Sequence, residues 1–452
     1  MTAPRSQNFA QALSQKLADL VGESCLLPEN LLHEYAVDGL IPQAVVQPTS
    51  RETICRVMSW AWSEKLAVAP RGGGTQLSLG NIPSRLDLVV DLSRYNRLLD
   101  YQPADLTATV EAGITLAALQ RELAAGGKSL SIEAPLPTRA TIGGILAANS
   151  SGPLRHSYGP VRDWLIGISV VGADGTETKA GGKVVKNVTG YDLNKLYSGS
   201  LGTLGIIVEA TFKLAPLAAD SGALVAAFSS VDQAVAGARD LLTQVYAPQG
   251  IQVVDALTAR RLELTASIPD GGAVVIAFCC GRPRAVQRRL EEGASLLGKH
   301  TTSGVERLDS AAGDSLLNLL TDFGWSADTT PLLGVKLNVP PSATGLVLSR
   351  YLQNGLSPTP GFIADPGFGS IKLLWWEASA PAESTMTETI AKLRNIAAES
   401  GGTLIVEQCP LAVKSQIDVW GGPNPELDVM RRIKQNLDPD SVLNPGRFMG
   451  RL

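Results

Sequence analysis

Three histidines, five cysteines and no C-x-x-C pair in 452 residues leave this chain without the means for most metal chemistry. An iron–sulfur cluster needs several closely spaced thiolates, and Cys25, Cys55, Cys279, Cys280 and Cys409 are scattered without a framework. They read as reduced thiols in a reducing compartment. The vicinal pair Cys279-Cys280 ends an apolar strand, where core packing is its expected role. His33, His156 and His300 are too few and too far apart to gather a metal. Charge of one sign is also missing: 39 basic and 43 acidic residues give a net charge of −4, with no basic excess for nucleic acid and no acidic tail. The longest apolar runs, such as Ala273 to Cys280, are far short of the ~20 residues that cross a bilayer. With no basic-then-apolar start, a cytoplasmic location is expected, with peripheral membrane association through a partner left open.

What the chain has is glycine, 45 of them, set in three patches. Pro70-Arg71-Gly72-Gly73-Gly74-Thr75, closing at Gly80, follows the apolar stretch Lys65 to Ala69. Bare N–H groups in such a turn form an anion-binding concavity, although a plain tight turn has the same composition. Thr141-Ile142-Gly143-Gly144 with Asn149-Ser150-Ser151-Gly152, and then Gly199 to Ile206, complete the set. Around them the pattern alternates short strands and helices: a helix over Glu52–Lys65, strands at Leu86–Asp91 and Ala108–Glu111, a helix over Leu116–Ala125, and a hairpin from Leu165 to Lys179 turning at Asp174-Gly175. Phe9, Leu13, Leu17, Leu20 and Val21 form one stripe of an N-terminal helix.

After Pro216 the periods lengthen. Strand 222–228, helix 231–244, strands 250–254 and 272–279 and helix 283–298 make one set; strand 332–338, helix 342–354, strands 360–365 and 369–376, helix 382–399 and strand 403–407 make another. Two such units predict an antiparallel sheet with helices on one face. A last helix is expected with Asn424 as N-cap, Pro425 at its first position, and Leu427, Met430, Ile433 and Leu437 as the buried stripe. The division is therefore a helical segment over 1–36, a glycine-rich domain over 37–217, a cap over 218–423 and a returning tail over 424–452.

The order P-R-G-G-G-T, T-I-G-G, S-G-x-x-x-x-x-Y-G-x-x-x-D and G-T-L-G-I resembles the FAD-binding domain of the vanillyl-alcohol-oxidase, or PCMH-type, flavoproteins. GGKVVKNVTGYDLNKLYSGSLGTLGIIVEATFKLAP (181–216) and DPDSVLNPGRF (438–448) resemble the FAD-binding subunit, E-subunit type, of glycolate oxidase (glycolate dehydrogenase). The resemblance is dense over 37–217, sparse over 218–420, and returns at the end. It implies an α+β fold: a PCMH-type FAD-binding domain of two α+β subdomains plus a ferredoxin-like α+β cap. It also implies that Pro70, Arg71, Gly72, Gly73, Gly74, Thr75 and Gly80 hold the pyrophosphate, with a second wall from Pro137, Thr141, Ile142, Gly143, Gly144, Asn149, Ser150, Ser151 and Gly152. Gly205 and Ile206 would lie against the adenine or ribose, Tyr158, Gly159 and Asp163 on the isoalloxazine side, and Asn444 near the cofactor. Arg71 could instead form a salt bridge at the domain rim, and Asp163 could be a cap. Thr75 stands where covalently flavinylated relatives often carry a His, and His156 is the only nearby alternative for attachment, so FAD is expected to be noncovalent.

The sequence departs from the resembling family where substrate is handled. The H-x-G-D-G-N-x-H run and E-H-G motif of related 2-hydroxy acid dehydrogenases correspond to Ala364–Ser370 and Glu407-Gln408-Cys409, without histidine, and Leu201 replaces the Glu of G-S-E-G-T. No metal site is expected. Lys336 resembles a carboxylate-binding strand lysine, or is simply an exposed one, and no partner Arg is evident around Trp325. The implied function is an FAD-binding subunit of a complex oxidising glycolate to glyoxylate, an electron-transfer or supporting unit beside a catalytic flavoprotein and an iron–sulfur subunit. A self-sufficient dehydrogenase of a small 2-hydroxy acid and a scaffold with structural FAD are the alternatives.

Overall fold

A computed structural model describes residues 7–183, 191–301, 304–353, 358–376, 380–422 and 425–452. The glycine-rich part holds two sheets over one core. In the first, Leu88–Asp91 lies between Ala44–Val46 and Val68–Arg71, all parallel. Parallel strands of one sheet need a crossover, and helix Arg51–Ser63 provides the one from Ala44–Val46 to Val68–Arg71. Ser50 accepts from the Thr53 N–H at 3.2 Å, a cap that stabilises the helix by about 1 kcal/mol. Ile54, Val57, Met58 and Ala61 turn inward. A parallel sheet covered on both faces needs apolar residues in succession, and Val45, Val46, Val68, Leu88, Val89 and Val90 are all buried.

The second sheet is antiparallel, with the order Leu98–Gln102, Thr107–Glu111, Ile206–Lys213, Leu165–Val171, Glu177–Gly181. Sequence reading gave no strand to Leu98–Gln102 or Ile206–Lys213. The latter is central and buried on both faces, so it carries no two-residue alternation to find. Leu13 and Leu17 of the N-terminal helix join this core, as do Val442 and Leu443 of the tail. The tail is stitched to the first sheet: the Val68 N–H donates to the Val442 carbonyl at 2.7 Å, and the Asn444 N–H to the Val68 carbonyl at 2.9 Å.

The cap is one eight-stranded sheet, antiparallel throughout, running from Val305–Leu308 at one edge to Thr403–Gln408 at the other. Its helices are not confined to one face as expected. Helices 231–242, 283–297, 344–353 and 383–399 cover one side, while 256–261 and 310–322 pack on the other through Ala259, Leu316 and Leu320. The sequence analysis missed these last two helices.

The tail helix also differs. It spans Leu427–Leu437, two residues later than Pro425, and Asn424 lies outside the described residues. Leu427, Met430 and Ile433 are only half-buried and Leu437 is exposed. The buried residue is Lys434, whose ammonium donates to Asp438 at 2.6 Å and to the carbonyls of Thr203 and Leu443 at 2.7 and 2.9 Å. Burial lowers its pKa and Asp438 opposes the shift. Polar attachment replaces the expected apolar stripe.

Candidate functional site

The structure brings twelve of the residues expected around the cofactor onto one cavity: Pro70, Arg71, Gly72, Gly73, Gly74, Thr75, Thr141, Gly143, Gly144, Gly205, Ile206 and Asn444. None of the backbone N–H groups of Gly72, Gly73, Gly74, Thr75 and Gln76 donates a hydrogen bond among the described residues. Five successive open donors beside a cavity fit an anion of several oxygens, such as the diphosphate of a dinucleotide. The two guanidinium groups on the wall are engaged elsewhere. Arg71 lies 3.9 Å over the Tyr35 ring and donates to the Glu34 carbonyl at 3.0 Å, forming no ion pair among the described residues. Arg447 donates to Asp38 at 3.2 Å and to the carbonyls of Leu77 and Leu79.

The glycines have a different task from the one sequence suggests. A Cβ at Gly73 would overlap the Arg139 carbonyl, and one at Gly143 would come within 2.8 Å of the Ala112 Cβ. They let three backbone segments close on one another and so build the wall; the cavity is a consequence. Gly74 holds φ +68° in the turn.

Other expected residues stand off this cavity. Gly80 packs against the Arg447 carbonyl, Ile142 is buried, and Pro137 accepts the Ala117 N–H. Asn149 caps helix 142–148 in a left-handed conformation. Ser150, Ser151, Gly152, Tyr158 and Gly159 line a small separate cavity, and Asp163 is exposed beside Arg162. Thr75 lines the first cavity, whereas His156 sits against Gly367 of the cap.

A second cavity lies between Ser151–Arg155 and the cap strands, with Lys336, Lys372, Asp365 and Phe368 on its wall. Lys336 has no hydrogen bond or ion pair among the described residues. Burial lowers its pKa to about 8, with Lys372 and Arg155 pushing the same way against Glu407 and Asp365. Its cationic neighbours are occupied. Lys372 faces Glu407 at 3.7 Å, and Arg155 donates to Ser151 at 3.0 Å with its guanidinium 4.1 Å over Phe368. The histidine-free stretch 364–370 is a hairpin turn closed by Asp365, whose Oδ1 accepts the N–H groups of Gly367 and Phe368 at 2.9 Å each. No group of three His, Cys, Asp or Glu that could hold a metal occurs among the described residues.

Sequence reasoning missed Arg155, Lys372, Asp38 and Lys414. The guanidinium on this cavity is that of Arg155, from the other domain, inside the unread x positions of S-G-x-x-x-x-x-Y-G. Lys414 and Asp38 meet at 2.7 Å from opposite ends of the chain, which no local pattern announces.

Residues 42–181 match the family described as FAD binding domain, and residues 422–448 the C-terminal domain of FAD linked oxidases. The chain has the PCMH-type FAD-binding fold and is an FAD-linked oxidoreductase. This FAD-linked chain is 26% identical to the glycolate oxidase subunit GlcD of Bacillus subtilis, covering 91% of this chain and 90% of that one. It is 27% identical to the D-2-hydroxyglutarate dehydrogenase of Xanthomonas citri pv. viticola, over 90% and 89% of the two. Among solved structures, substrate-bound p-cresol methylhydroxylase superposes with a TM-score of 0.76 at 18% identity, over 99% of this chain and 98% of that one, and carries the same fold. No described helix is long and apolar enough to cross a membrane.

Proposed function

We propose that this flavoprotein is the FAD-binding subunit, of the E-subunit type, in a 2-hydroxy acid dehydrogenase that oxidises glycolate to glyoxylate. Gly72 to Gln76 hold FAD noncovalently through backbone donors, with Thr141 to Gly144 as the facing wall of the cavity, and bound FAD supplies a hydride acceptor. The observation that carries the reading is the unpaired Lys336 ammonium in the cavity between the two domains, a ready partner for a carboxylate. Arg155 and Lys372 add positive potential without being free to leave their own partners. Relatives named for glycolate and D-2-hydroxyglutarate agree with an acid in this place.

A second reading follows from the absence of a histidine cluster: the subunit relays electrons beside a catalytic flavoprotein and an iron–sulfur partner, and its own flavin meets substrate poorly. Anaerobic addition of glycolate or D-lactate to the purified FAD-loaded chain separates the two. Bleaching of the flavin band by the single chain supports oxidation at its own site. A band that bleaches only when the partner subunits are added transfers the chemistry to them.

A further inference from the structure

Oxidation of a 2-hydroxy acid releases two things: a hydride from the α-carbon to the flavin, and a proton from the hydroxyl. The cavity beside Lys336 has an electrostatic partner for the carboxylate but no histidine to take that proton. One acidic side chain outside that cavity is suitably placed. Glu133 lines a cavity of about 10 Å³ together with Ser150, Ser151, Gly152 and Arg155. Ser151, Gly152 and Arg155 are also wall of the Lys336 cavity. On its other side Glu133 lines a cavity of about 320 Å³ with Tyr158, Cys280 and Asp314. The smaller space is about one water in size, and it separates the two larger ones.

We propose that Glu133 relays the substrate hydroxyl proton from the Lys336 cavity to the outer cavity, a role that rests on the 2-hydroxy acid reading above. The O–H bond breaks as the hydride leaves the α-carbon. One water in the small cavity accepts that proton and gives up another to the carboxylate, and Glu133 then releases it into the outer cavity. The carboxylate is built for one-sided exchange. Oε2 accepts the Leu154 N–H at 2.7 Å, while Oε1 has no hydrogen-bond partner among the described residues. Gly152 keeps the passage open, since a Cβ there would approach Oε2 to 2.7 Å. Burial raises the Glu133 pKa to about 7 against the pull of the Leu154 N–H, where a relay is half-loaded near neutrality.

The other ionisable groups on these cavities are otherwise engaged. On the Lys336 cavity itself, Asp365 accepts the Gly367 and Phe368 N–H groups through Oδ1 and closes the hairpin turn, and Lys372 faces Glu407 at 3.7 Å. Arg155 is turned onto Ser151 and Phe368, the Tyr158 hydroxyl is 3.1 Å from Cys280 Sγ, and Asp314 accepts from Ser221. Asp220, at the mouth, accepts its neighbour's N–H.

The test compares E133Q and E133D with wild type in the FAD-loaded full chain. Wild-type reduction by the acid is expected to rise with pH through a limb near Glu133's own midpoint. E133Q should lose that limb and about a hundredfold in rate, and E133D should recover a limb at a shifted midpoint. Independently of turnover, infrared difference spectra of the substrate-free protein should show a carboxyl titrating near neutrality that E133Q removes. An unchanged limb in E133Q, or no such carboxyl signal, overturns the relay alone. A wild-type flavin that no 2-hydroxy acid reduces overturns the functional reading and the relay with it.

Discussion

The two cavities on either side of residues 141–155 receive negative charge by opposite means. In the glycine-walled cavity the open donors are backbone N–H groups, and its two guanidinium groups are already held by Tyr35, Glu34 and Asp38. In the cap-facing cavity the open donor is a side chain, Lys336, beside Lys372 held by Glu407 and Arg155 held by Ser151 and the Phe368 ring. Backbone donors cannot be titrated and cost no rotamer entropy when they bind. That suits a cofactor held permanently. A lone ammonium of adjustable pKa suits a ligand that must enter and leave.

The sharpest way to break the first cavity is to spoil its closure. Gly73→Val would drive a side chain into the Arg139 carbonyl, which cannot rotate away. We expect the variant to emerge without yellow colour, with FAD affinity reduced by more than about a hundredfold, the counterpart of roughly 3 kcal/mol of overpacking strain. Retention of flavin absorbance at the wild-type ratio to protein would show that the wall tolerates opening and that the N–H row is not the cradle.

Next in size is the clamp behind it. Among the described residues Asp38 alone neutralises Lys414 and Arg447, both buried, and their carbonyl partners Ser78, Leu77 and Leu79 precede Gly80. Removing one member of a buried ionic group costs about 3–5 kcal/mol because the others are stranded. Asp38→Ala should therefore lower the thermal midpoint markedly and release FAD early in the melt. Loss of Lys414 together with Asp38 should recover part of the difference, since one stranded charge is gone; a double variant no better than the single would deny that the charges are coupled.

The same contrast explains what the sequence revealed. The glycine cavity was legible because its donors are consecutive residues, and consecutive residues are what a motif records. Arg155, Lys336 and Lys372 are brought together by the pairing of Leu333–Asn338 with Ser370–Trp375 and by the docking of that sheet on the glycine-rich domain. Only Lys336 was visible from its strand. The cap elements were legible too, down to most strand ends, because each alternates in polarity or is set off by glycine and proline. Strand Val305–Leu308 and helices 256–261 and 310–322 were not, although Asp255 and Asp309 cap the two helices in the ordinary way. Lys434 shows the opposite failure: an apolar stripe at helical spacing was present, but the one residue of that helix the fold buries is this lysine, among carbonyl and carboxylate partners.

For the cap-facing cavity, Lys336→Met tests whether the free ammonium holds the acid. FAD should stay bound, because no part of the glycine wall is touched. Affinity for the carboxylate substrate, read by flavin perturbation or KM, should fall about tenfold to a hundredfold, the range for one charge-assisted hydrogen bond. Equal affinity in the two proteins would make Lys336 an ordinary strand lysine.

The last effect is the most specific, because it reads the ammonium without substrate. Lys336 titrates at about 8 in the folded chain against an ordinary 10.5. Between those values the unfolded chain binds more protons than the folded one, so the Lys336 contribution to stability becomes more favourable as pH rises from about 8 to 10.5. Over the same window the folded ammonium is being lost, so carboxylate affinity should decline. Thermal midpoints of wild type and K336M should converge or cross in wild type's favour across that range. A pH-independent difference would mean that Lys336 remains fully charged when folded, and the cavity would then be more open to water than its walls imply.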